Sequence, residues 1–111
     1  MDEIWQRGAV GIARLIRQRT VTSVEVVDAF LRRIEEVNPI INAVVVLAGE
    51  RAIDEARDAD ASLARGKTPG PLHGVPFTAK DVLDTAGVET SAGIPERVGV
   101  VPSRDAAAPT C

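Results

Sequence analysis

Few side chains in this 111-residue chain could carry covalent or acid–base chemistry. Lys80 stands directly before Asp81, with Asp84 three residues on, and His73 is the single histidine. The serines are Ser23, Ser62, Ser91 and Ser103, and the single cysteine, Cys111, is the last residue. A lysine beside an aspartate is by itself ordinarily a solvated surface pair. His73 has no second histidine, cysteine or carboxylate at ligand spacing, so it reads as a residue that steadies a turn. Asp81 and Asp84 read as solvated or capping acids of a loop, and Cys111 as a frayed end. Gly66-Lys67-Thr68 has the last three residues of a phosphate-binding loop. The first glycine of that pattern should stand at position 61, which is Ala61, and the tripeptide follows a helical segment instead of a strand. No metal site is expected around His73.

The elements that would position these residues follow from periodicity. From Ile4 to Arg19, residues Trp5, Ala9, Ile12, Ala13 and Ile16 fall on one helical face, and Arg7, Arg14 and Gln18 on the other. Thr22-Ser23-Val24-Glu25 is a capping box, in which the Thr22 hydroxyl can accept the Glu25 amide and the Glu25 carboxylate can reach back. Val21 and Val26 stand at the positions of a hydrophobic staple. Val27, Phe30, Leu31 and Ile34 continue the buried stripe, and Asn38-Pro39 is expected to end this second helix. A third helix is predicted over 48–65, with Ala52, Ala56, Ala59 and Leu63 inward and Gly66 in the left-handed position after its end.

Two strands are expected. Residues 40–47 are β-branched and almost continuously apolar, the pattern of a strand covered on both faces. Val75 to Lys80 reads as a short strand with Val75, Phe77 and Ala79 on one face and Thr78 and Lys80 on the other. Pro76, which has no donor, belongs near its start or at an edge. Residues 66–74 and 81–104 are punctuated by glycine and proline and read as loops. Helix, helix, strand, helix, strand is an α/β order. Two strands make only part of such a sheet, and isolated strand pairs are marginal in water. The expectation is a piece of a larger layered domain, with 1–65 a helical lead-in carrying one strand and 66–111 the lysine-bearing strand and loops.

Composition narrows the function. Two Phe, one Trp, no Tyr and a formal charge of −3 leave little to stack on bases or track phosphates, so no nucleic acid is expected to bind directly. The apolar run at 40–48 falls well short of the roughly 20 residues that span a bilayer, and Met1-Asp2-Glu3 lacks the basic start of a signal peptide. A single cysteine allows no intrachain disulfide. A cytoplasmic protein without a membrane partner is expected.

The run Gly70-Pro71-Leu72-His73-Gly74-Val75-Pro76-Phe77-Thr78-Ala79-Lys80-Asp81 resembles the lysine-bearing segment of the amidase-signature family. The resemblance continues through Thr85-Ala86-Gly87-Val88 and Thr90-Ser91-Ala92-Gly93. The helices before it are similar to that family's lead-in, and Arg104-Asp105-Ala106-Ala107-Ala108 is similar to its approach to the next helix. Pro109-Thr110-Cys111 departs from the pattern. The resemblance implies an α/β/α fold with a mixed sheet, incomplete here, and hydrolysis of a carboxylic amide C–N bond without a cofactor.

In that family a nucleophilic serine attacks the carbonyl, and a second serine, held by a cis peptide bond, passes its proton to a neutral lysine. Lys80 matches that lysine. Both serines would lie in a downstream glycine- and serine-rich segment that nothing here matches, so the chain alone is expected to be inactive. A lysine base also needs shelter. From a reference pKa of ~10.4, about 4 in 10,000 are neutral at pH 7, and reaching ~7 takes ~4.6 kcal/mol of desolvation or positive field. Only a closed, dry site supplies that. Thr90 and Ser91 read either as cleft residues, by resemblance, or as solvent-exposed loop hydroxyls. The resemblance does not separate an amidase from the glutamine-hydrolysing component of a transfer-RNA-dependent amidotransferase. A non-catalytic module that docks on the missing remainder of the domain, or on a full-length relative, is the reading from another class.

Overall fold

A computed structural model describes residues 3–81 and 83–106. The expectations for Ala107, Ala108, Pro109, Thr110 and Cys111 lie outside the described residues. The chain divides into two compact units, one formed by 1–44 and 49–76 and the other by 45–48 and 77–111.

The first unit is helical. A 3-10 turn at Ile4–Gln6 precedes α1 (Ala9–Arg17), and α2 (Ser23–Ile41) and α3 (Gly49–Ala64) follow. The continuous first helix expected from Ile4 is thus broken at Arg7 and Gly8, both in extended conformation. Glycine loses the most chain entropy in a helix interior and is acceptable at the N-cap, where Gly8 stands. The predicted inward residues Ile12, Ala13 and Ile16 are buried, whereas Ala9, next to the break, is exposed. Ile12, Ile16 and Val26 form the centre of the core, with Ile4, Val21, Phe30, Leu63 and Val75 packed against them. Arg33 lies over the Trp5 ring, 4.3 Å from its centroid, a cation–π contact that ties α2 to the N-terminal turn.

The start of α2 is held by two devices. Thr22 Oγ1 accepts the Glu25 amide at 3.1 Å, as the capping box requires, and the staple valines Val21 and Val26 share the core. The amides of Ser23 and Val24 instead go to one carboxylate on α3: Asp60 Oδ1 and Oδ2 accept them at 2.7 and 3.1 Å. Three amides that a helix start leaves orphaned are thereby satisfied, and a negative charge meets the positive end of the helix dipole.

The end of α2 departs from expectation. The helix runs through Pro39 to Ile41 and stops at Asn42, whose φ of 47° places it in the left-handed region and whose amide reaches Asn38 O at 2.7 Å. Proline removes one helical hydrogen bond, and this close to the C-terminus little helix remains to be disrupted. Asn38 then clamps the chain beyond: its Nδ2 donates to Val44 O and its Oδ1 accepts from Val44 N, both at 2.9 Å. The strand expected over 40–47 therefore does not form. Ile40 and Ile41 are helical, the backbone of Val44 bonds a side chain, and Ile40, Ile41, Val45 and Leu47 are exposed. Residues 75–80 have no regular secondary structure and form no strand pairing among the described residues. The one bridge found there is Thr85 with Val88. The helical part of the α/β expectation is met, and the sheet part finds no strand among the described residues, where 40–47 and 75–80 have no neighbour for their amides and carbonyls to pair with as a ladder.

Helix α3 ends as expected. Gly66 has φ 79°, its amide bonds Leu63 O at 3.0 Å, and the Lys67 amide bonds Ser62 O at 3.3 Å. That pair is a Schellman motif, which explains Gly66-Lys67 as a helix stop. Asp60, one turn earlier, gives this helix a tertiary role that periodicity does not show.

The second unit has little regular structure beyond a 3-10 turn at Pro95–Arg97. Loop-to-loop hydrogen bonds hold it. Gly87 N donates to Pro102 O at 3.0 Å, Thr90 N to Val100 O at 2.9 Å, and Ala106 N to Asp84 O at 2.7 Å. Side chains add Asp105 Oδ1, which accepts the Ala86 amide at 2.7 Å, and Glu89 Oε1, which accepts the Gly99 amide at 2.8 Å.

Candidate active-site segment

The segment leading to Lys80 begins from a buried anchor in the first unit. Ser23 is 1% exposed and its hydroxyl donates to Gly74 O at 2.7 Å. His73, next to it, holds α3: its Nε2 lies 2.8 Å from Ala59 O, so this nitrogen carries the proton. Its amide closes a turn to Gly70 O at 3.2 Å. His73 therefore ties the loop to the helix, in keeping with a structural role. Among the described residues no three potential ligands gather as a metal group would require.

Lys80 lies at the end of the irregular stretch 75–80 and is exposed. Its carbonyl accepts the Leu83 amide at 2.9 Å. Asp81, half-buried, reaches across ten residues. Its Oδ2 accepts the Ser91 hydroxyl at 2.8 Å, its Oδ1 the Ser91 amide at 3.0 Å, and its carbonyl the Ala92 amide at 2.9 Å. The Ser91 hydroxyl, then the Ser91 amide, hold this carboxyl below its ordinary range; partial burial opposes them and the amides of Gly93 and Ala92 add to them. Each donor stabilises the ionised form. The turn at 92–93 makes this possible, because Ala92 and Gly93 have φ of 54° and 73° and turn successive amides to one side.

The expectations for the remaining polar residues resolve individually. Asp81 is a capping acid, and Asp84 pairs with Arg97 at 3.7 Å on the surface, where such pairs contribute little. Thr90 is not a solvent-exposed hydroxyl: it is 3% exposed and donates to Val88 O at 3.1 Å. Ser91 is likewise bonded inward. The Ser23 hydroxyl donates to the Gly74 carbonyl, the Ser91 hydroxyl to the Asp81 carboxylate, and Ser62 sits within α3. A shallow cleft of ≈ 470 Å³ in the first unit, lined by Leu31, Ile53 and Arg57 among others, contains no lysine, serine or histidine.

The order of these residues, Ser23-anchored Gly74, Val75 to Lys80, then the Asp81–Ser91 closure, can be set beside known proteins. The amidase family profile matches residues 25–108, most of the chain and all of this segment. This chain belongs to the amidase family. It is 40% identical over 106 residues to the A component of the glutamyl-tRNA(Gln) amidotransferase of Acidothermus cellulolyticus, covering 96% of this chain and 21% of that protein. It is equally 40% identical over 103 residues to the indoleacetamide hydrolase of Bradyrhizobium diazoefficiens, covering 93% and 20%. A solved structure described as an unexpected vestigial protein complex, revealing the evolutionary origins of an s-triazine catabolic enzyme, superposes with a TM-score of 0.86 at 31% identity. That match covers 90% of this chain and 22% of the other. The amidase chain thus spans about a fifth of the length of the relatives it matches. No helix among its described residues is long and apolar enough to cross a membrane.

The sequence pointed to Lys80 but not to the Asp81–Ser91 closure or to Asp60 and Asp105. Their partners lie 10, 37 and 19 residues away. Only for Asp81 was there a signal, an acid directly after the lysine and a serine in the second matching motif.

Proposed function

We propose that this chain is the lysine-bearing part of an amide hydrolase, and that Lys80 is the base of its serine–serine–lysine relay. The observation that carries the reading is the family match across residues 25–108, with Lys80 inside the motif-dense part of it. In the assembled enzyme the nucleophilic serine adds to the amide carbonyl while its proton passes through the second serine to neutral Lys80. Collapse of the tetrahedral intermediate breaks the C–N bond, the proton returns to the leaving amine, and water then hydrolyses the acyl-serine. The chain supplies neither serine of that relay, so alone it is expected to bind no productive substrate and to turn none over.

The test is reconstitution. The chain is mixed with a separately produced polypeptide carrying the glycine- and serine-rich remainder of an amidase domain, and ammonia release is followed on indoleacetamide, simple aliphatic amides and glutamine. Activity that appears on mixing and disappears with Lys80→Ala supports the reading. Activity that survives Lys80→Ala removes Lys80 from the mechanism. An enzymatic rate from the chain alone overturns its inactivity, and a stable but inactive complex favours the docking-module alternative. Glutamine belongs in the panel because the match to the amidotransferase component equals that to the indoleacetamide hydrolase. Release confined to glutamine would assign the chain to the amidotransferase class.

A further inference from the structure

A base in a proton relay works only where its nitrogen is held, and a misplacement of about 1 Å can cost on the order of 100-fold in rate. The exposed side chain of Lys80 is directed by its backbone, and that backbone is tied at two successive peptide planes. The Lys80 carbonyl, in the plane joining residues 80 and 81, accepts the Leu83 amide at 2.9 Å. The Asp81 carbonyl, in the next plane, accepts the Ala92 amide at 2.9 Å. Between the two planes, the Asp81 carboxylate takes both hydrogens that Ser91 can offer, at 2.8 and 3.0 Å.

We propose that Asp81 is a positioning residue for Lys80, its carboxylate clamped on Ser91 so that the turn after the lysine holds one backbone direction. The proposal rests on the reading of Lys80 as the base and adds to it a second residue and a mechanism of action. A carboxylate suits the role because both of its oxygens accept, whereas an asparagine would turn an NH2 towards one of the two Ser91 donors. Ala92 supports it: a non-glycine residue at φ 54° persists where its surroundings over-determine the turn. The acidity of Asp81 agrees with the geometry, since it is held down first by the Ser91 hydroxyl and then by the Ser91 amide.

Two measurements test it. In the reconstituted enzyme, Asp81→Asn and Ser91→Ala are each expected to lower kcat by about 10- to 100-fold with KM changed less than about twofold, because substrate binding is untouched. Asp81→Asn is expected to leave unchanged whatever residual rate above the uncatalysed reaction a Lys80→Ala enzyme retains, as residues acting through one another are not additive. Losses that multiply, or a loss confined to KM, overturn the positioning role. If Lys80→Ala itself leaves activity intact, the base assignment fails, and the cycle shows that separately. The second measurement uses the 111-residue chain alone. By NMR, Asp81→Asn should speed exchange of the Ser91 and Ala92 amides at least about tenfold and lower the backbone order parameter of Lys80. An unchanged order at Lys80 refutes the clamp whether or not activity has been reconstituted.

Discussion

The Ser23 hydroxyl, buried at the first residue of α2, donates to the carbonyl of Gly74 at 2.7 Å, six residues before Lys80. A helix start and the entry to the lysine segment are joined by one bond, and the join is tight. A Cβ placed on Gly74 would lie 3.1 Å from Ser23 Cβ, 3.2 Å from Ser23 Oγ and 3.3 Å from Ile16 Cδ1.

Gly66 and Gly74 share a φ of 79°, yet a Cβ on Gly66 meets nothing within 4 Å. Gly66→Ala should therefore cost only the left-handed penalty, about 1–2 kcal/mol. Gly74→Ala should cost that and the overpacking against Ser23 and Ile16, about 2–4 kcal/mol together. Urea midpoints of the two variants compare them directly. Equal losses would show that the Ser23 contact yields freely.

Asp60 caps a helix that is not its own. Asp60→Ala leaves the Ser23 and Val24 amides without their charged acceptor and should destabilise by about 1.5–3 kcal/mol, more than the roughly 1 kcal/mol expected for Thr22→Ala. Because one variant frees two amides and the other one, denaturation curves should rank them in that order. The reverse ranking would place the main restraint in the local box.

The pH dependence follows from Asp81. Its folded form binds a proton less readily than an unfolded aspartate, whose ordinary value is near 3.8. The stability it contributes is whole above that ordinary value and is lost as pH falls through the lower folded one. The gap in urea midpoint between the parent chain and Asp81→Asn should hold steady from about pH 7 to about 5 and narrow below about 4. A gap that stays constant down to about pH 3 would contradict the Ser91 bonds as its source.

Lys80 is exposed, so its value is not structural. Lys80→Ala should leave the stability of the chain within about 0.5 kcal/mol of the parent, while abolishing any amide hydrolysis that reconstitution recovers. A large loss of stability would mean that the side chain packs, and the activity result could then no longer be read as chemistry.

Much of the helical unit was legible in the sequence because its signals are local. The Thr22–Glu25 box, the Val21–Val26 staple, the inward faces of α1 and α3 and the stop at Gly66 each act within about two turns of chain. The residues 40–47 show where this fails. Their β-branched run suits a strand, but a strand is completed by a neighbour. With none among the described residues, Asn42 and the Asn38–Val44 clamp satisfy the backbone locally and Ile40 and Ile41 join the helix.

By itself the sequence determined the start of α2 at its capping box, the end of α3 at Gly66 and, through the motif from Gly70 to Gly93, the family. Tertiary structure alone decided that Asp60 caps α2, that Ser23 holds Gly74, and that Asp81 closes on Ser91. The division has one physical cause. Short-range signals are set by torsions and neighbours a few residues apart, whereas a carboxylate's partner across 10 or 37 residues exists only once the chain has folded and brought a donor within hydrogen-bond distance.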